Sequence, residues 1–371
     1  MASADKHGQA VDFVDPGPGR LSCRERVERA LNHQEPDRVP ADLWAVPEVK
    51  QRLQEHLGVS SWDKVLQKLR IDVRWVAPDY MGPVQIRPGG VTVDPYGAWR
   101  RPQQHGFGSY AEYAGYPLAD AQTAADIHTW DWPRPEFWDV DSIIRQLDEL
   151  DAQGQYFVCY EVGGIFERAW ALRGFERFLI DLIENPEVPC AIMDHLTDLY
   201  IANLVNVLRA ANGRIQMVYT YDDIAHQHSL LLSKRMWQKY VVPRHQRMNI
   251  AIRAFGVHIM YHSCGAVYPV IGELIRDLGI DVLQSLQPRA DGMDMTQIKK
   301  EFGARLSFHG GVDIQHTMPH GSPQEVQAEV QERCRILGKG GGYILSTAHY
   351  IQNDTPIENI MAFYSTPRTT A

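Results

Sequence analysis

Eight short runs of apolar and β-branched residues recur along this chain, and segments of helix length separate them. The runs fall at 41–45, 73–78, 156–162, 216–221, 257–262, 281–286, 305–310 and 343–347, and each reads as a strand. The clearest helix is 187–211, where Ile192, Leu196, Leu199, Leu204 and Leu208 recur at intervals of three to five. Further helices are expected over 233–254, 267–278, 294–302 and 322–337, the last opening with Ser322-Pro323, an N-cap and a first-turn proline. Eight strands alternating with helices in 371 residues point to an α/β fold, a (β/α)8 TIM-type barrel. A doubly wound open sheet is the competing architecture. It is disfavoured because no GxGxxG follows the first strand, and GKGGGY at 338–343 precedes a strand instead of opening a helix.

The alternation breaks once. Between about 82 and 117, GG and PYG turn signals separate short segments, expected as a β-hairpin insertion after the second strand with a long loop following. Residues 1–19 are polar and carry DPGPG, so they read as a flexible tail that leaves 20–371 as one barrel domain. Lys and Arg number 37 against 46 Asp and Glu, and the net charge of −9 argues against nucleic acid or an anionic membrane as a partner. No apolar stretch approaches the roughly 18 residues of a membrane span, and MASADKHGQA lacks the apolar core of a signal peptide. Cys23, Cys159, Cys190, Cys264 and Cys334 are few, odd in number and scattered, which suits a reduced compartment. A cytoplasmic globular protein is expected, with a homodimer as the default assembly.

Active sites of (β/α)8 barrels sit where strands end, so functional side chains should gather there. The strand ends carry Asp79-Tyr80, Glu161, Asp222-Asp223, His262-Ser263-Cys264, Gln287, His309 with Asp313 beyond, and His349. In YHSCG at 261–265, His262 and Cys264 are two apart and share a face, forming half of a borderline-soft metal site of the kind zinc favours. His349 is the best third ligand and Glu161 a candidate fourth, with the rim histidines as substitutes for His349. The plain alternative is a buried small Cys264 and a hydrogen-bonded core His262. Asp222 and Asp223 alternate, so one faces inward as acid/base or substrate contact and the other caps a loop. Tyr80, Gln287, His309 and Asp313 are expected around the substrate. Arg173 reads as a carboxylate binder or a structural ion pair, His226 and His228 as loop residues, and Trp44, Trp75 and Tyr160 as core or pocket wall.

At these residues the sequence resembles the uroporphyrinogen decarboxylase superfamily, which also holds zinc-dependent, corrinoid-linked methyltransferases on TIM-type barrels. The resemblance runs from about residue 22 to 365. It is carried by RERVERALNHQEPDRVPAD (24–42), LRGFERFLIDLIENPE (172–187), YDDIAHQHSLLLS (221–233), HSCGAVYPVIGELIRDLGIDVLQSLQP (262–288), FHGGVDIQHTMPHGSPQEV (308–326) and GGGYILSTAHYIQNDTPIENI (340–360). The arginine-rich motif by which true decarboxylases of this superfamily hold porphyrinogen carboxylates is replaced by ADLWAVPEVKQRL, so that reaction is not expected. The methyltransferase branch uses a His-x-Cys pair and a distant Cys on zinc. His262 and Cys264 match the pair, and His349 stands at the third position. The resemblance therefore implies one zinc per chain on a His-Cys-His set. Such a set leaves zinc with a net +1 charge and favours polarising a methylated donor over activating a thiol. The expected enzyme is a zinc-dependent methyltransferase of demethylase type, with a small methylated substrate and a corrinoid protein as partner. Glu161, Asp222 and Asp223 would be its acid/base candidates. A decarboxylase or other carboxy-lyase acting on a small acid is the alternative, and a ligand-binding barrel without activity is the third reading.

Overall fold

In the computed structural model, residues 20–105 and 108–370 are described; the expected tail at 1–19 lies outside them. Seven parallel strands form one sheet in chain order: β1 (Val73–Val76), β2 (Phe157–Gly164), β3 (Met217–Tyr221), β4 (His258–His262), β5 (Val282–Ser285), β6 (Ser307–Val312) and β7 (Tyr343–Thr347). The eighth run, 41–45, lies between β7 and β1 but is not a continuous strand. It makes isolated parallel bridges, Ala41 to Leu345 and Ala45 to Ile351, and the Asp72 N–H donates to the Ala41 carbonyl. Pro40 has no N–H, and the Asp42 carboxylate takes the Leu43 N–H at 2.8 Å, so two donors that a ladder needs are missing or diverted. The result is a TIM-like barrel with a seam between 41–45 and β1.

Strand parity sets the interior. Trp44, Val73, Phe157, Cys159, Tyr219 and Met260 pack together inside the barrel, while Val76, Val158, Val218, Ile259 and Leu283 face the helices. Continuing the inward series by two residues brings Glu161, Tyr221, His262 and Gln284 to the C-terminal mouth of the barrel.

Helix Glu187–Ala211 has the expected bounds. The expected helix 233–254 is two, Lys234–Tyr240 and Val242–Arg253, because Pro243 cannot donate into a continuous helix. The segment 267–278 is a 3-10 turn, a short α turn and a π turn in succession. The segment expected as one hairpin is a four-stranded antiparallel sheet, Gln85–Arg87, Val91–Val93, Trp99–His105 and Gly108–Gly115. Its last two strands carry WRRPQQH and GSYAEYAG, which have no apolar run to announce them. Asp94 and Tyr96 tie this sheet to the barrel: Asp94 accepts from Arg168 at 2.5 Å, and the Arg168 guanidinium lies 4.5 Å from the Tyr96 ring centre. No described helix is long and apolar enough to cross a membrane.

The seam is held shut at its base by buried Asp72. Its carboxylate accepts from Arg26 at 2.7 Å, from Arg38 at 2.8 Å and from the Ala41 N–H at 2.9 Å. Burial alone would raise its pKa, but Arg38, Arg368 and Arg26 hold it below the usual carboxylate range. Because the folded pKa is the lower one, this contribution is present above the unfolded value of about 3.9 and is lost as pH falls below it. Asp72→Ala, which removes the carboxylate that Arg26, Arg38 and Arg368 surround while Arg26 keeps Asp37, is expected to cost about 3–5 kcal/mol in urea unfolding at pH 7. The gap between the variant and the parent should shrink as the pH is lowered toward 3.

Candidate metal centre

His262 ends β4, and its ring is fixed from behind: Nδ1 is hydrogen-bonded to the Gln284 side-chain oxygen on β5. That leaves Nε2 facing the mouth, 3.6 Å from Cys264 Sγ. Gly265 lets the chain turn directly after the cysteine. Its φ is +86°, and a Cβ there would meet the His226 carbonyl oxygen at 2.5 Å. His349 arrives from beyond β7, its carbonyl held by the Thr347 hydroxyl at 2.6 Å and its ring centre 5.6 Å from that of His262. Ligand atoms of His262, Cys264 and His349 all lie within 4.8 Å of one another, and among the described residues this is the group of three or more that satisfies that spacing. Tetrahedral zinc with bonds of about 2.1 Å to nitrogen and about 2.3 Å to sulfur separates those atoms by about 3.6 Å, matching the His262–Cys264 spacing. One thiol and two imidazoles are a donor set that zinc accepts. Burial opposes charge on His262, but the Cys264 sulfur and Asp223 carboxylate lift its pKa well above the imidazole range. Burial and the neighbouring His262 push His349 down to about 4, so it presents a neutral ring.

The adjacent carboxylates divide as strand alternation requires. Asp222 is fully buried and turns away from the mouth. It accepts the N–H groups of Ile165, Phe166 and Glu167, at 3.2, 2.9 and 2.8 Å, at the start of helix Ile165–Arg173. His245 Nε2 lies 2.6 Å from the same carboxylate. Asp223 faces the mouth, 3.3 Å from His262 Nε2 and accepting the Cys264 N–H at 2.7 Å. Burial would raise its pKa, but the His262 hydrogen bond and charge bring it below the usual range.

Glu161 and Asp223 line a concavity: water reaches both, yet protein surrounds them. For Glu161 that surrounding raises the carboxyl pKa against the pull of Arg168 and His262. Its oxygens are not part of the 4.8 Å group. Glu167, which no sequence motif marks, has its carboxyl pushed up to about 7 by burial and then by Asp223 and Asp222. Only its place in the first turn after β2 marked it beforehand. Gln284 was missed as well, although its parity with inward Val282 placed it facing the mouth.

Four expected substrate contacts lie elsewhere. His309 is inside the barrel, not on its rim, with Nε2 3.1 Å from Asp42, because β6 turns it inward below the mouth. Gln287 braces the loop, accepting the Gly265 N–H at 3.0 Å and donating to Gln227 at 3.1 Å. Asp313 sits 3.5 Å from Arg289 in a separate groove with Glu329 and Arg333. Tyr80 packs against Phe137 and Trp138 in a cavity beside the inserted sheet. Arg173 is a structural ion pair with Asp181 at 2.8 Å, while exposed His228 reaches Asp291 and His226 reaches Ser229.

A cavity of about 410 Å³ opens at the seam next to the triad. Trp44, Trp75, Trp62 and Tyr350 wall it, Glu161 and Lys50 line it, and the Tyr350 ring centre is 5.4 Å from that of His349.

A family description, uroporphyrinogen decarboxylase (URO-D), matches residues 110–369. The chain belongs to this family. A curated relative, the methylated-thiol–coenzyme M methyltransferase of Methanosarcina mazei, is 25% identical over 245 residues, 66% of this chain. The match spans 62% of that relative's length. A solved methyltransferase from Methanosarcina mazei superposes with a TM-score of 0.66 at 17% identity, covering 94% of this chain and 98% of its own, which shows a shared fold.

The two aspartates should separate experimentally. Asp222→Ala is expected to lower stability by about 3–5 kcal/mol, since it strands buried donors and a histidine. Asp223→Ala should cost no more than about 1.5 kcal/mol, the value of a lost hydrogen bond. Urea unfolding of both variants provides the comparison.

Proposed function

We propose that this member of the URO-D family is a zinc-dependent methyltransferase of demethylase type, moving a methyl group from a small methylated substrate to a corrinoid on a partner protein. The observation that carries the reading is the convergence of His262, Cys264 and His349 at the barrel mouth beside an aromatic-walled cavity. The likeness to methyltransferases in fold and in sequence supports the same class. Bound on these residues, zinc would supply Lewis acidity to the donor heteroatom, and one thiolate with two neutral imidazoles leaves it a net +1 charge.

The chain's own groups do the rest. Gln284 holds His262 through Nδ1, the outer support that metal-bound histidines commonly have, and Asp223 lies against Nε2, the nitrogen that would bind zinc. The bond between the methyl carbon and its heteroatom breaks with the electron pair staying on the heteroatom, which then takes a proton. Glu161, with its raised pKa, lies at the cavity wall to donate it. Glu167, pushed up to about 7 by burial and by Asp223, is a second carboxyl that would hold a proton near the mouth. At the Glu161 end of the cavity the charge does not favour a carboxy-lyase: Arg168, which acts on Glu161, is already paired with Asp94 at 2.5 Å.

Purified protein dialysed against a weak chelator is expected to retain about one zinc per chain, and Cys264→Ala to lose it. Gln284→Ala should weaken zinc binding by about 10–100-fold. Reduced cobalamin should become methylated only when zinc and a methyl donor are both present. Absence of metal even after zinc is supplied, or CO2 released from a small acid with no methyl acceptor, would overturn the proposal.

A further inference from the structure

The cavity beside the triad points to a substrate class. We infer that it takes a planar aromatic molecule with a methylated heteroatom at one end and an anionic group at the other; this rests on the methyl-transfer reading of the same site.

The aromatic walls are built, not incidental. One oxygen of buried Asp42 accepts both indole N–H groups, from Trp44 at 2.8 Å and from Trp75 at 3.0 Å, and lies 3.1 Å from His309 Nε2. With those donors occupied, the two indoles offer the cavity only π and apolar surface. Their ring centres are 5.5 Å apart at 76°, and Tyr350 lies 5.2 Å from Trp44. Such a corner contacts both the face and the edge of a single ring. A volume of about 410 Å³ is at the small end for ligand cavities, which suits one ring and its substituents.

The ends of the cavity differ in charge. The inner end, inside the barrel, has Glu161 on β2 and Tyr350 beside His349. The outer end passes through the seam to the helical layer, where Lys50 on helix Pro47–Leu57 lies 5.2 Å from the centre of the Trp62 ring. Among the described residues no carboxylate forms an ion pair with Lys50; Asp63, in the same wall, is engaged by Arg74 at 2.6 Å. Burial lowers the Lys50 pKa with no acid to offset it. An anionic substituent would supply that missing partner and direct the methylated end toward the triad. A methylammonium ion fits the aromatic walls and Glu161 but shares the cavity with Lys50, and it has no free lone pair to polarise.

The test is calorimetric titration of the full chain, with and without zinc, using 4-methoxybenzoate, cyclohexanecarboxylate, methoxybenzene and tetramethylammonium. The expectation is that 4-methoxybenzoate binds about tenfold or more tighter than cyclohexanecarboxylate. Lys50→Met should weaken 4-methoxybenzoate about tenfold or more and leave methoxybenzene unchanged. Equal binding of the two carboxylates, tighter binding of tetramethylammonium, or no effect of Lys50→Met would each overturn the inference. The methyl-transfer reading fails separately: a chain that shows this ligand preference but holds no zinc refutes the transfer chemistry, whereas a zinc-loaded, methyl-transferring chain without the preference refutes the substrate class.

Discussion

The buried Asp222 carboxylate ties together the parts of the fold that make the site. It directly follows β3, accepts the first N–H groups of helix Ile165–Arg173 and faces His245 on helix Val242–Arg253, while its own N–H donates to the His262 carbonyl. Four elements are thereby fixed at one point under the barrel mouth. The alternation of a strand then forces the neighbouring Asp223 to the other side, onto His262 and Cys264. A pair of like charges in sequence becomes one clamp and one site residue.

A second carboxylate plays a matching part lower in the barrel. Asp42 gathers two indole N–H groups and an imidazole, so the Trp44 and Trp75 rings are held in place. Asp42 also diverts the backbone donor of Leu43, which keeps 41–45 from pairing fully and leaves the seam that becomes the cavity. The interaction that interrupts the strand also shapes the wall. At the mouth the side chains are mainly acidic: Glu161 and Glu167 have raised pKa values, whereas Asp223, against His262, is held below the usual range.

Much of this was legible in the sequence because parity and strand ends are local properties. Seven of the eight runs are strands within a few residues of the expected bounds, and the H-x-C spacing placed His262 and Cys264 on one face. That His349 joins them depends on two strand ends meeting across the barrel, which the assumed fold supplied. What escaped were contacts between elements. His309 was read from its strand end, but its partner Asp42 lies 267 residues away. Gln287 and Gln284 look alike in VLQSLQP, yet one braces a loop and the other holds the His262 ring. Glu167 has no motif, and its raised pKa exists only once Asp222 and Asp223 are folded beside it. The sequence shows a hairpin instead of the four-stranded sheet because its last two strands, WRRPQQH and GSYAEYAG, have no apolar run.

X-ray absorption at the zinc edge of the zinc-loaded chain reads the donor set itself. The expected coordination has one sulfur at about 2.3 Å and two nitrogens at about 2.0–2.1 Å, with lighter scatterers completing four-fold coordination. His349→Cys should convert that shell to two sulfurs. A parent shell with no sulfur, or with two, would contradict the His262–Cys264–His349 centre.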